Sequence, residues 1–195
     1  LGAATVGGKL VNRKTTAFRI KPECEQYINN NFDSWSRAVL LKSYRTFIGA
    51  HNFLEHVQIE NLSKGRILDA VARDIGDSVY IDILIATDRK HRELIKDIES
   101  GELTTLSMGC SIDGSTCTQC GHWAADETEF CDHIKYMKGN TFYDERGNRC
   151  RIAELCGDES LDPTAGVVFI EGSWVKIPAF KGAVRRNLIT LSSDD

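Results

Sequence analysis

No apolar run in this 195-residue chain approaches the roughly 20 residues that a membrane-spanning helix needs. The first ten residues also lack the basic stretch followed by an apolar one that marks a secretory signal. Neither a membrane partner nor a signal peptide is therefore expected. Positive charge is not in excess either. Twenty-four Lys and Arg against 28 Asp and Glu leave a net charge of -4, which gives the whole chain no attraction to nucleic acid or an anionic surface. Internal repeats and low-complexity tracts are missing. With 42% apolar and 27% charged residues, the composition excludes wholly disordered, collagen-like and coiled-coil chains. What remains is a folded, soluble protein of one domain, or one domain with a small appendage. The first residue is Leu1 rather than Met, as it would be in an excised or processed fragment.

Several familiar catalytic signatures are missing too. The segment from His51 to His56 holds two histidines and Glu55, but zinc-protease motifs need histidines four residues apart on one helical face, and these are five apart. The G-x-S-x-G elbow of α/β-hydrolases is absent. So are both halves of the zinc-deaminase signature, His-x-Glu and Pro-Cys-x-x-Cys.

Periodicity predicts a core that is mainly β with peripheral helices, an α+β chain. Leu1 to Arg13 reads as an arm or edge strand. Pro22 can open a short helix reaching Asn30, and a second helix is predicted near Ser34, with Trp35, Ala38 and Leu41 at helical spacing. Gly65–Arg73 and Ser78–Ala86 are β-rich runs parted by the turn-like Asp74 to Asp77, hence a hairpin. Asp88 is the expected cap of a helix carrying His91, Leu94, Ile95 and Ile98 on one face, with Gly101 ending it. Strands are predicted over Thr104–Ile112 and Val167–Val175, the latter closed by Pro178, followed by a helix from Ala179 towards Leu188. Arg185 and Arg186 would then lie on a solvated helix face.

Between these last strands the composition turns to Cys, Gly, His and Asp. Residues 113–165 therefore read as an insertion into a core made of 1–112 and 166–195. A hairpin is predicted within it, Asn140–Tyr143 and Arg149–Ala153 flanking a turn over Asp144 to Asn148. Four of the seven cysteines, Cys110, Cys117, Cys120 and Cys131, crowd around its start. Such clustering points to a metal in a reducing, intracellular compartment rather than to a secreted disulfide framework. Cys117 and Cys120, then Cys131 and His133, give two soft ligand pairs able to close a tetrahedral zinc site, with Cys150, Cys156, Cys110 or His122 as alternative fourth ligands. Four protein ligands leave no open position, so the zinc would be structural. Cys24 and Cys156 read as free, buried thiols. A zinc-ribbon nucleic-acid binder is disfavoured by the acidic charge and by the lack of interleaved basic and aromatic residues around Cys117 to His133.

Four motifs recur in an order that carries more weight than any one of them. Gly101, Leu103, Ser107 and Gly109 form a "G-x-L-x-x-x-S-x-G" strand. A histidine segment and the strand opening at Gly65 precede it. Glu171, Ser173 and Val175 ("E-x-S-x-V") and Pro178, Ala179, Phe180 and Ala183 ("P-A-F-x-x-A") follow. Over about Phe47 to Val184, apart from the insertion, the chain resembles the prohead serine proteases of tailed bacteriophages. That resemblance implies an assemblin-like fold, a β-barrel ringed by helices. It also implies a serine endopeptidase that processes scaffold and major capsid proteins during capsid maturation, inside the prohead in the host cytoplasm. Ser107 would be the nucleophile, His56 the general base with His51 as the alternative, and Glu171 the third member, orienting the imidazole. The oxyanion hole would be built of backbone N–H groups, with those of Met108 and Gly109 as candidates. A homodimer is expected by analogy with assemblin. The insertion is larger than in the plainer members, which suits a flap over the substrate channel or a docking surface. The competing reading is a non-catalytic virion or scaffold-binding protein on the same barrel, with the zinc-stabilised insertion as its interaction module and Ser107 inert.

Overall fold

The computed structural model describes residues 2–9, 28–75, 78–145, 147–157 and 166–189. The expected Pro22 helix lies almost wholly outside the described residues, as do Cys24 and the Ser192–Asp195 end. Strands dominate, and their main product is a curled, half-barrel sheet of seven.

The hairpin read from sequence forms its long arms, β4 (Gly65–Ile75) and β5 (Ser78–Thr87). Along β5 the residues Val79, Ile81, Ile83 and Ile85 all point inward and are buried, as the two-residue period of a strand requires. On β4 a bulge between Ile67 and Asp69 shifts that alternation by one, so Ile67 and Ala70 are both buried while Leu68 is exposed. On one flank β5 pairs with β1 (Gly2–Lys9), and β1 in turn with β13 (Arg185–Leu188). On the other flank β4 pairs with β3 (His51–Leu54), β3 with β12 (Val167–Val175) in parallel, and β12 with β6 (Thr105–Ile112). The two margins approach each other where Thr105 bridges Val184 and the Leu106 N–H donates to the Ala183 carbonyl at 3.0 Å.

Helices complete the core. In α1 (Arg37–Ser43) the Ser36 hydroxyl accepts from the Val39 N–H, and Val39 and Leu40 are buried. Phe47, in the turn of 3₁₀ helix that follows, stacks on Phe169 of β12 at 4.1 Å, a pair worth about 0.5–1.5 kcal/mol beyond its burial. In α2 (Arg92–Ser100) Leu94 and Ile98 face the core, and Gly101 ends the helix in the left-handed region at φ 84°. His91 rather than Asp88 holds the N-cap position, and its imidazole contacts the Ser63 carbonyl at 3.2 Å.

Two expectations need correction. Trp35 belongs to a short strand, β2 (Asp33–Trp35), and the helix behind it buries Val39 and Leu40 rather than Ala38 and Leu41. The predicted helix beyond Ala179 is instead a turn leading into β13, and the Arg185 guanidinium donates to the Ile98 carbonyl. The reason is non-local: β13 exists because β1 is there to pair with it.

The cysteine-rich segment builds β7 (Ser115–Cys117), β8 (Trp123–Ala124), α3 (Asp132–Met137), the expected hairpin β9 (Thr141–Tyr143) and β10 (Arg149–Arg151), and β11 (Glu154–Cys156). Its sheet runs β2-β11-β7-β8, so it takes one strand from the N-terminal half of the chain. That seam carries a polar clamp. Lys138 Nζ donates to Asp33 Oδ1 at 2.7 Å and to Glu154 Oε1, while Ser115 Oγ donates to Glu154 Oε2 at 2.8 Å. Among the described residues, no helix is long and apolar enough to cross a membrane.

Candidate functional site

β3 ends at Leu54, and the chain reverses through Glu55 and His56, closing with the Val57 N–H on the Leu54 carbonyl at 3.1 Å. Both central residues lie in the left-handed region, Glu55 at φ 50° and His56 at φ 58°, a conformation that glycine or asparagine would hold at less cost. The strain is offset by bolts to β12 and to the residue that follows it. The Glu55 N–H donates to the Trp174 carbonyl at 2.9 Å, and Glu55 Oε1 accepts from the Lys176 N–H at 2.9 Å. Strained backbone of this kind persists where the surroundings over-determine it, and here it aims an imidazole.

His56 Nδ1 lies 2.7 Å from Glu171 Oε1. The imidazole is 40% exposed, whereas Glu171 is 1% exposed, so the bond joins a cleft-facing ring to an interior carboxylate. Glu171 Oε2 accepts from the Ser173 hydroxyl two residues along the same strand face. Each carboxylate oxygen therefore has a donor, which a buried charge requires. Room for that carboxylate comes from β6: Gly109 pairs with Glu171, and a Cβ on Gly109 would sit 2.7 Å from Glu171 Oε1 and 2.9 Å from Gln58 Nε2. The glycine two residues after Ser107 is thus explained by space rather than by backbone angle.

Ser107 is directly opposite Ser173 on the β6–β12 ladder. It and His56 line one cleft of about 450 Å³, whose other walls come from Asn29 to Asn31, Asp33, Trp35, the sheet-margin residues Leu106, Met108 and Cys110, the stretch from Ile177 to Phe180, and Ala183. Asn30 closes one side, its N–H donating to the Ala179 carbonyl at 2.6 Å and its side-chain amide to the Pro178 carbonyl at 3.2 Å. Among the described residues Ser107 makes no hydrogen bond to His56; the two meet as walls of the same space. Met108 is half-buried, packing against the core while lining the cleft, and Trp174 is buried in the core. Cys110 is in the cleft too, but burial pushes its thiol up to about 11, so it stays protonated at neutral pH and is a poor nucleophile.

His51 is placed differently. It is in register with Glu171 across the parallel β3–β12 pair, yet it stacks on Phe53, its Nε2 lies 3.9 Å from Glu60, and it is not part of the cleft wall. The carboxylate that sequence order associates with both histidines bonds His56.

The cysteine cluster assembles where β7 ends at Cys117. Ligand atoms of Cys117, Cys120, Cys131 and His133 all lie within 4.8 Å of one another. Metal–sulfur bonds of about 2.3 Å would place tetrahedral sulfurs roughly 3.8 Å apart. Cys120 Sγ and Cys131 Sγ are 3.6 Å apart, and Cys131 Sγ and His133 Nδ1 are 4.0 Å apart. A disulfide would need sulfurs about 2.05 Å apart, so the spacing is that of ligands and not of a bridge. The donor set fits a metal ion. Burial pushes the Cys117 thiol up to about 12, so a cation would have to displace its proton on binding. Burial also works against ionising Cys131, but the Ile134 N–H and the Cys120 and Cys117 thiols outweigh it and hold Cys131 below the ordinary 9.0. The alternative ligands are engaged elsewhere: His122 Nε2 meets the Glu129 carbonyl at 2.8 Å, Cys150 Sγ points to the Asn148 carbonyl, and Cys156 is buried in the main core. Beside the site, among the described residues, Cys117, Ile134 and Ile152 form a small buried cluster with Phe130, Met137 and Phe142 partly buried against it, the kind of minor core that a metal crosslink reinforces.

Sequence reasoning did not single out Ser173 as a partner for the carboxylate, although "E-x-S" spacing places the two on one face of a strand. It also gave Asn29 to Asn31 no role in the cleft, for which no local signal exists. No family model, no curated protein and no solved structure matches this chain.

Proposed function

We propose that the protein is a serine endopeptidase of the prohead-maturation type, acting on scaffold and capsid proteins during phage assembly. The observation that carries the reading is the 2.7 Å bond between His56 Nδ1 and buried Glu171, on a ring that opens onto the cleft lined by Ser107. A carboxylate on Nδ1 fixes the tautomer whose other nitrogen, Nε2, is free to accept a proton. In this mechanism Ser107 Oγ attacks the scissile carbonyl as His56 takes the hydroxyl proton. Backbone N–H groups, with those of Met108 and Gly109 as candidates, stabilise the oxyanion. His56 then protonates the departing amine, and water repeats the sequence on the acyl-enzyme with His56 as base. The curled, half-barrel sheet of seven strands is compatible with an assemblin-like core. The position of β6 at the sheet margin suits an extended peptide, since a substrate strand can lie along it past Ser107. In the inserted segment we assign a structural zinc to Cys117, Cys120, Cys131 and His133, the ligand set and spacing being those zinc prefers.

The test is intact mass after a fluorophosphonate probe, on wild type, Ser107→Ala and His56→Ala, with zinc quantified on the same samples. One adduct on wild type that is lost in both variants, with one zinc per chain, is the expected result. No adduct under conditions that label a control serine protease would overturn the proteolytic reading and favour the non-catalytic scaffold-binding one.

A further inference from the structure

Glutamate holds its carboxylate on a soft terminal torsion, so a single hydrogen bond to His56 does not fix which way Oε1 faces. A second anchor does. Ser173 sits two residues from Glu171 on the same face of β12, is 0% exposed, and gives its one hydroxyl proton to Glu171 Oε2. Water cannot replace that donor, because Glu171 is 1% exposed. The opposite side of the carboxylate is closed by Gly109 and the Gln58 amide. We propose that Ser173 is a positioning residue of this site: by holding Glu171 Oε2 it keeps Oε1 on His56 Nδ1, and so keeps the imidazole oriented in the cleft that Ser107 also lines. For its catalytic consequence this rests on the proteolytic reading above. Ser173 transfers no proton and touches no substrate; it acts through Glu171. Without its hydroxyl, Oε2 would be a buried charged acceptor lacking a partner, and the carboxylate would rotate in search of one.

A purely structural role predicts lost stability and nothing more, so the test reads the imidazole itself. Ser173→Ala and Ser173→Thr are compared with wild type by two measurements, with thermal melting as the check on folding. One is the rate at which the fluorophosphonate modifies Ser107. The other is the NMR signal of the His56 Nδ1 proton, assigned by its loss in His56→Gln. In Ser173→Ala, labelling is expected to slow by about 10- to 100-fold and the Nδ1 proton to exchange with water fast enough to broaden its signal. Ser173→Thr, which keeps the hydroxyl, should recover both. A folded Ser173→Ala protein with an unchanged Nδ1 signal overturns the proposal, whatever its labelling rate. If wild type is not labelled, the proteolytic reading fails, and the positioning of His56 is still decided by the NMR arm.

Discussion

Replacing Gly109 with alanine tests whether the hollow above β6 exists to seat the Glu171 carboxylate. The added Cβ would lie 2.7 Å from Glu171 Oε1, 2.9 Å from Glu171 Cγ and 2.9 Å from Gln58 Nε2. Against ordinary van der Waals contact the first of these is short by roughly 0.7 Å, so something must move. Gln58 is exposed and can swing away, but Glu171 is buried and held by Ser173 on its other oxygen. The displacement therefore falls on the 2.7 Å bond to His56. Overpacking should cost about 1–3 kcal/mol, lowering Tm by about 2–4 °C per kcal/mol for a chain of this size. The larger effect is on chemistry, where a shift approaching 1 Å in a positioning group costs up to about 100-fold. Gly172→Ala is the control, because its Cβ would meet only the flexible ends of Ile67, at 3.1 Å, and Ile83, at 3.6 Å. The assay is the second-order rate of fluorophosphonate labelling at Ser107, measured below each variant's melting temperature. If Gly109→Ala is labelled as fast as wild type and as the Gly172→Ala control, the carboxylate does not need that hollow and the steric reasoning is wrong.

Two further outcomes follow from the inserted segment. Lys138→Met should destabilise the protein by about 1–2 kcal/mol in urea, after discounting for solvent screening of a partly exposed amine, because Asp33 and Glu154 lose their shared donor. Burial works to lower the Lys138 pKa, but the Asp33 and Glu154 carboxylates prevail and raise it above the ordinary 10.5, so this contribution is fully present below that value and fades as pH climbs through the raised one. The gap between wild type and variant should thus be constant from pH 6 to pH 9 and close only in stronger alkali; a gap that closes near neutrality refutes the assignment. Cys120→Ser should cut bound metal well below one per chain and speed amide exchange in β7, α3, β11 and β2, with β4 and β5 unchanged; equal protection throughout would show that no metal organises the segment.

Local patterning made much of this fold legible. β4, β5, β6 and β12 carry enough apolar, β-branched residues to declare themselves, and Gly101 marks the end of α2 because its left-handed angle suits glycine. What sequence concealed depends on distant partners. β2 is three residues long, and its Trp35 also fits a helical spacing; only β11, parallel to it, makes it a strand. β13 has no buried alternation of its own. At the site, Ser107 and Glu171 were readable from motif order, and the 2.7 Å meeting of His56 with Glu171 joins two such motifs. The left-handed turn that delivers His56 was not readable, since Glu55 and His56 are not residues that signal it.

The seam between β2 and β11 also sets an order of events during folding. Cys117 to His133 is a short, local loop whose donors can gather around an ion early, at small entropic cost. The Lys138–Asp33 bond spans 105 residues, and β2 can find β11 only after Cys156 has been made. A metal ion held by this group would be captured by a local loop, whereas the sheet beside it needs a strand from far away in sequence. Because β2 also forms a wall of the cleft, the shape of the pocket beside Ser107 depends on that same long-range pairing.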